Sequence, residues 1–231
     1  MADNAGMNRG TALTIIRHGE TDWNRQHRFQ GQIDVPLNAL GLEQARRLGQ
    51  RLKDEAFDVL VCSDLQRTRS TAAPLAGPGR PDLLLDAQWR EQHFGVLEGL
   101  DVPSIARDHA PLWAQWQRHE ADYALPQGGE SNNVFHARVM AALNALVQSH
   151  LGQRLLVVTH GGVLDMLWRT AQGLPLTGPR QCEIPNTGIN RLRCQDGQLR
   201  IEQWADASHL AGLPEQPSTL QRPSPSLPEQ P

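Results

Sequence analysis

Four short clusters hold the residues with chemistry to offer. They are Arg17-His18-Gly19-Glu20, Ser63-Asp64-Leu65-Gln66-Arg67-Thr68-Arg69, Glu91 ahead of Phe94-Gly95, and His160-Gly161-Gly162. Any one of them is ordinary, since polar residues are common where strands end and an isolated glutamate is usually a solvated surface carboxylate. Brought into one crevice, two histidines, at least two arginines and a glutamate suit a dianionic phosphoryl group. Guanidinium forks match its oxygens, and a second imidazolium adds positive charge.

The elements that must position these clusters are legible from periodicity. "ALTIIRH" at 12–18, "FDVLVCS" at 57–63, "DLLLD" at 82–86 and "RLLVVTH" at 154–160 are short apolar runs of strand length. Each cluster follows one of these runs, and ligands of open α/β sheets bind beyond the carboxyl ends of the strands. Between the runs lie helices. Asn38 is placed to cap one that carries Leu42, Ala45, Leu48 and Leu52, and "DLQRTRSTAAPLA" starts another that Pro74 kinks. Ser131 caps a longer helix that offers Val134, Ala137, Val139, Ala141, Leu143 and Leu146 for packing, and "GGVLDMLWRTA" follows the last of the four runs. This alternation predicts an α/β fold, a three-layer α/β/α sandwich around a mostly parallel sheet. "INRLRC" and "QLRIEQW" flank Asp196-Gly197 and read as a hairpin. Residues 100–130, with Trp113 and Trp116, form a mainly helical excursion expected to roof the site.

The bulk composition narrows the setting. A net charge of −3 gives no electrostatic footprint for nucleic acid or an anionic membrane, and no apolar run is long enough for a signal peptide or a membrane span. The three cysteines, Cys62, Cys182 and Cys194, have neither metal-ligand spacing nor a disulfide framework, so the expectation is a reduced, cytoplasmic protein. Cys62 reads as a small core residue. Residues 1–11 are expected to be a flexible leader, 12–211 the folded domain, and 212–231 a disordered Pro-rich tail in which "LPEQP" occurs twice.

The four clusters, in this order, resemble the histidine phosphatase (phosphoglycerate mutase-like) superfamily. "RHGETDWNRQHRFQGQIDVPLNALGLEQA" at 17–45 matches throughout, and "LPQGGES" and "DASHL" resemble the cofactor-independent, broad-specificity phosphatase branch. The resemblance implies that His18 is the nucleophile and carries the phosphoryl group as a phosphohistidine. Flanking cations such as Arg17 favour the neutral ring that this requires. Arg17, Arg67 and His160 would hold the equatorial oxygens, and Glu91 would give its proton to the leaving oxygen and then serve as base toward water. Asn24, Gln30, Gly31 and Gly161 match positions that line the phosphate pocket in similar proteins. No metal or cofactor is implied, and the expected partner is a small phosphorylated metabolite.

The superfamily places phosphatases and mutases on one core, so phosphoryl transfer between 2- and 3-phosphoglycerate is the competing activity, and a silent phospho-ligand binder is a third. Two features favour hydrolysis. Only 68 residues separate Glu91 from His160, fewer than in the mutases, and Gln92 and Phe94 stand where those enzymes have an arginine and a tyrosine that hold phosphoglycerate.

Overall fold

The computed structural model describes residues 10–219. A six-stranded sheet runs β1 (Thr11–Arg17), β2 (Val59–Cys62), β3 (Leu83–Leu85), β4 (Arg154–Thr159), β5 (Ile189–Gln195) and β6 (Gln198–Asp206), in spatial order β3-β2-β4-β1-β5-β6. The first four strands are mutually parallel, and the β5–β6 hairpin adds two antiparallel strands beside β1. The hairpin turns at Asp196-Gly197, where both residues have positive φ, as a two-residue turn between right-twisted strands requires. The sandwich and its mostly parallel sheet are those predicted.

Strand residues alternate between two cores, because successive side chains point to opposite faces. Leu13, Ile15, Val59, Val61, Leu155 and Val157 pack against α6 (Asn132–Ser149) and α7 (Gly161–Gln172). Ile16, Leu60, Cys62, Leu156 and Val158 face the other way, toward α2 (Ala39–Arg51) and the end of α3 (Gln66–Ala72). Cys62 is buried there as expected, and burial pushes its thiol up to about 12. The excursion holds α4 (Val102–Asp108) and α5 (Ala110–Trp116) over a small core of Leu97, Val102, Ile105, Trp113 and Leu125. A one-turn helix, α1 (Asp22–Arg25), follows β1.

Capping follows the sequence: the Asn38 side chain accepts from Gly41 N and that of Ser131 from Val134 N. Pro74 ends α3 in a 3₁₀ turn at Ala73–Leu75. Two faces differ from expectation. Leu42 is 55% exposed, and α6 buries Phe135, Val139, Ala142, Leu143 and Val147 while Val134 is 58% exposed. Apolar residues lie on more than one side of α6, so composition alone did not set its rotation; the i, i+4 stripe headed by Phe135 did.

Both ends of the described chain make ordered contacts. Gly10 is buried and Thr11 begins β1, so the part of the proposed leader that is described belongs to the domain. Residues 212–219, expected to be disordered, are placed against residues 183–186. The Gln216 side-chain carbonyl accepts from Asn186 N at 2.6 Å, and its amide donates to Asn186 O at 3.2 Å. Thr219 Oγ1 accepts from Ile184 N and donates to Glu183. Residues 1–9 and 220–231, including the second LPEQP, lie outside the described residues. Among the described residues no helix is long and apolar enough to cross a membrane.

Candidate active site

β1 ends by delivering Arg17 and His18 to an open cleft of about 970 Å³, together with Arg67 and Glu91. His18 is only 3% exposed. Its Nδ1 lies 2.7 Å from Gly19 O. A carbonyl can only accept, so Nδ1 carries the hydrogen and Nε2 keeps its lone pair. Burial, then Arg67 and Arg17, hold this ring well below the usual 6.5, so it is neutral at pH 7. The backbone is held too: Asn186 Nδ2 donates to His18 O at 2.8 Å.

Arg67, at the start of α3, is fully buried. It donates to Ile33 O, to Gly31 O, and through Nε to His160 Nδ1 at 3.3 Å. Gly31 has φ +50, and a Cβ there would collide with the Glu98 carboxylate, so this acceptor position needs glycine. Arg17 donates to Ile184 O at 2.7 Å, while its buried Nε has no partner. Burial lowers both arginines to about 10, helped at Arg17 by the neighbouring Arg180, and both remain cations at pH 7.

His160 differs from expectation in its charge. Its ring lies edge-on to His18, with centroids 5.2 Å apart. Nδ1 accepts from Arg67, so Nε2 carries the hydrogen toward Ser63 Oγ, 3.0 Å away. Burial and then Arg67 push its pKa well below 6.5, which makes it a neutral ring and not the second imidazolium predicted. The positive charge of the site is carried by guanidinium groups.

Glu91 is held at the start of α7. Gly162 N donates to both of its oxygens, at 3.1 and 3.0 Å, and Gln92 N to Oε1 at 2.9 Å. A Cβ on Gly162 would collide with Glu91 Oε1, so the second glycine of the HGG sequence makes room for this carboxylate. From behind, Arg138 donates to Glu91 O and Arg90 O and pairs with Glu130 at 2.6 Å. The glutamate of the "GGES" loop thus serves to fix the segment that carries Glu91.

Asn24, Gln30 and Gly31 line the cleft. Asn24 closes a capping box with Thr21 on α1, and Gln30 accepts from Thr21 Oγ1, so α1 sets that wall. Gly161 does not line it; its open side faces Arg17 Nε, 3.5 Å from where a Cβ would stand. Trp23, Phe29, Phe94 and Val102 supply apolar lining, and His27 and Arg28 polar lining. Phe94 meets Phe29 edge to face at 5.1 Å, and Gln92 is tied to Glu130 O and Asn132. Sequence reasoning missed Asn186, Ser63 and the lining residues Pro217, Ser218 and Thr219. Ser63 stood within a recognised cluster, whereas nothing local to the other four marks them.

The sequence model of the histidine phosphatase superfamily (branch 1) matches residues 13–207. A phosphoglycerate mutase-like protein 4 of Arabidopsis thaliana is 36% identical over 202 residues, covering 86% of each chain. A metal-independent phosphoserine phosphatase of the same plant is 34% identical, over 88% of this chain and 84% of its own. The solved structure of YhfR from Bacillus stearothermophilus superposes with a TM-score of 0.78 at 30% identity, over 87% of this chain and 99% of the other.

Proposed function

This chain belongs to branch 1 of the histidine phosphatase superfamily, and we propose that it hydrolyses small phosphomonoesters, without a metal, through a phosphohistidine on His18. The observation that carries this reading is the tautomer of His18. Nε2 is a lone pair in a buried ring, with Arg17 and Arg67 beside it and Glu91 on the same cleft. Such a nitrogen attacks phosphorus while the P–O bond to the leaving group breaks in line, and Glu91, protonated at that moment, gives its proton to the departing oxygen. Water then attacks the phosphohistidine, Glu91 takes the water's proton, and the P–N bond breaks to return neutral His18 and inorganic phosphate. Arg17 and Arg67 stabilise the charge on the equatorial oxygens throughout. His160 orients Arg67 and packs against His18. The groups around the phosphoryl position are mainly cationic, a donor set suited to an anion.

Hydrolysis is favoured over transfer because the cleft is open and Gln92 and Phe94 are committed to protein partners. A mutase must shield its intermediate from water while the product turns round.

His18→Ala should abolish turnover. Brief exposure of the parent to labelled substrate should leave an acid-labile, base-stable phosphoenzyme. Full activity in the variant would sink the proposal. Glu91→Gln should slow a poor leaving group by roughly 10²–10⁴-fold and a nitrophenyl ester much less. Equal losses on the two substrates would remove Glu91 from the acid role.

A further inference from the structure

A second, smaller pocket adjoins Glu91. Glu91 and Phe94 line both cavities, so an ester oxygen presented to Glu91 has its next atoms at the junction of the two. Arg180 stands in the second wall. Its side chain is 20% exposed, its Nε is buried without a partner, and no hydrogen bond joins its guanidinium to another described residue. Its nearest carboxylate oxygen, Asp165 Oδ1, is 3.8 Å away, itself buried and without a hydrogen bond. Arg169, on the same side of the fold, is the opposite case. It donates to Asp165 Oδ2 and to the carbonyls of Pro175, Thr177, Gly178 and Pro179. That arginine staples the loop into place and so holds Arg180 where it is.

Arg180 also approaches Arg17, which lines the first cleft. Its terminal nitrogens lie 3.7 Å from the point where a Gly161 Cβ would stand, and Arg17 Nε lies 3.5 Å from the same point. Two guanidinium groups therefore flank Gly161, one on each cavity. A mostly buried arginine that faces a carboxylate only at 3.8 Å, too far for a hydrogen bond, keeps its donors for a closer anion. The neighbouring carboxylate of Asp165 would repel a second phosphate more strongly than a single negative charge.

Building on the phosphatase reading above, we propose that Arg180 binds a carboxylate on the leaving group, making it a specificity-determining residue. The favoured substrates are phosphomonoesters with a carboxylate a few bonds from the ester oxygen.

The test compares two substrates within each protein, so the amount of folded enzyme cancels. For the wild type, Arg180→Gln and Arg180→Lys, kcat/KM is measured with O-phosphoserine and with glycerol phosphate. The wild type should prefer the carboxylated ester, and Arg180→Gln should reduce that preference by roughly 10- to 100-fold, mainly through KM. Arg180→Lys, which keeps the charge, should retain more of it. An unchanged ratio, or equal losses in Gln and Lys, overturns the proposal. Calorimetry with 3-phosphonopropionate and propylphosphonate reads the same contact without turnover. Tighter binding of the phosphonocarboxylate that disappears in Arg180→Gln supports the proposal even if no ester is hydrolysed, and in that event the phosphatase reading falls instead. Equal binding of the two phosphonates by the wild type overturns the proposal.

Discussion

At the scale of single residues, the site depends on which nitrogen of each histidine holds its hydrogen. Gly19 O fixes the hydrogen on Nδ1 of His18, while Arg67 takes the Nδ1 lone pair of His160. The two rings thus have opposite tautomers and different uses. Glu91 depends on a smaller feature, the missing Cβ of Gly162. Gly162→Ala should displace this carboxylate and lower kcat by roughly 10-fold or more, since acid catalysis of this kind contributes 10²–10⁴-fold. KM should change little, because Arg17 and Arg67 are untouched. Steady-state kinetics on a poor leaving group would check this, and a variant with the parent's kcat would show that the carboxylate relocates without cost.

At the scale of elements, residues 183–186 join the site to the end of the described chain. On one side they meet the site, through Ile184 O with Arg17 and the Asn186 side chain with His18 O. On the other they receive Gln216 and Thr219. Pro217, Ser218 and Thr219 form part of the cleft wall. A chain ending at Leu213 should therefore show KM raised several-fold and kcat reduced less. Its melting temperature should drop only slightly, because a few part-buried hydrogen bonds hold the segment and each contributes about 1 kcal/mol. Calorimetry and a substrate titration on the two chains would decide it; unchanged KM would mean that this wall does not touch substrate.

At the scale of the whole molecule, stability should depend on pH through the buried imidazoles. His18 and His160 are neutral in the fold, with pKa values well below 6.5, and regain ordinary imidazole behaviour on unfolding. Below 6.5 the unfolded chain then binds more protons than the folded one. Stability should be level above that pH and fall as the solution is acidified, by roughly 1.4 kcal/mol per pH unit for each such histidine. Melting temperatures from pH 8 to pH 5 should trace this, and His18→Gln should flatten the acid slope. A melting temperature that rises on acidification would contradict the neutral assignment.

The strands, the caps at Asn38 and Ser131, the hairpin turn and the four functional clusters follow from the sequence by itself. Each rests on a local pattern: period-two alternation, a side chain reaching its own helix's first turn, or a turn that needs positive φ. The convergence of Arg17, His18, Arg67, Glu91 and His160 was also readable, because parallel strands deliver their carboxyl ends to one edge of the sheet. The rotation of α6, the neutral state of His160, the docking of Gln216 and Thr219, and the unused donors of Arg180 were decided only by tertiary structure. These depend on groups distant in sequence: Arg67 and Ser63 for His160, residues 183–186 for the terminal segment, and the Arg169-stapled loop for Arg180. Charge state and accessibility are set by what surrounds a group in space, and a linear pattern carries no record of that until the chain has closed.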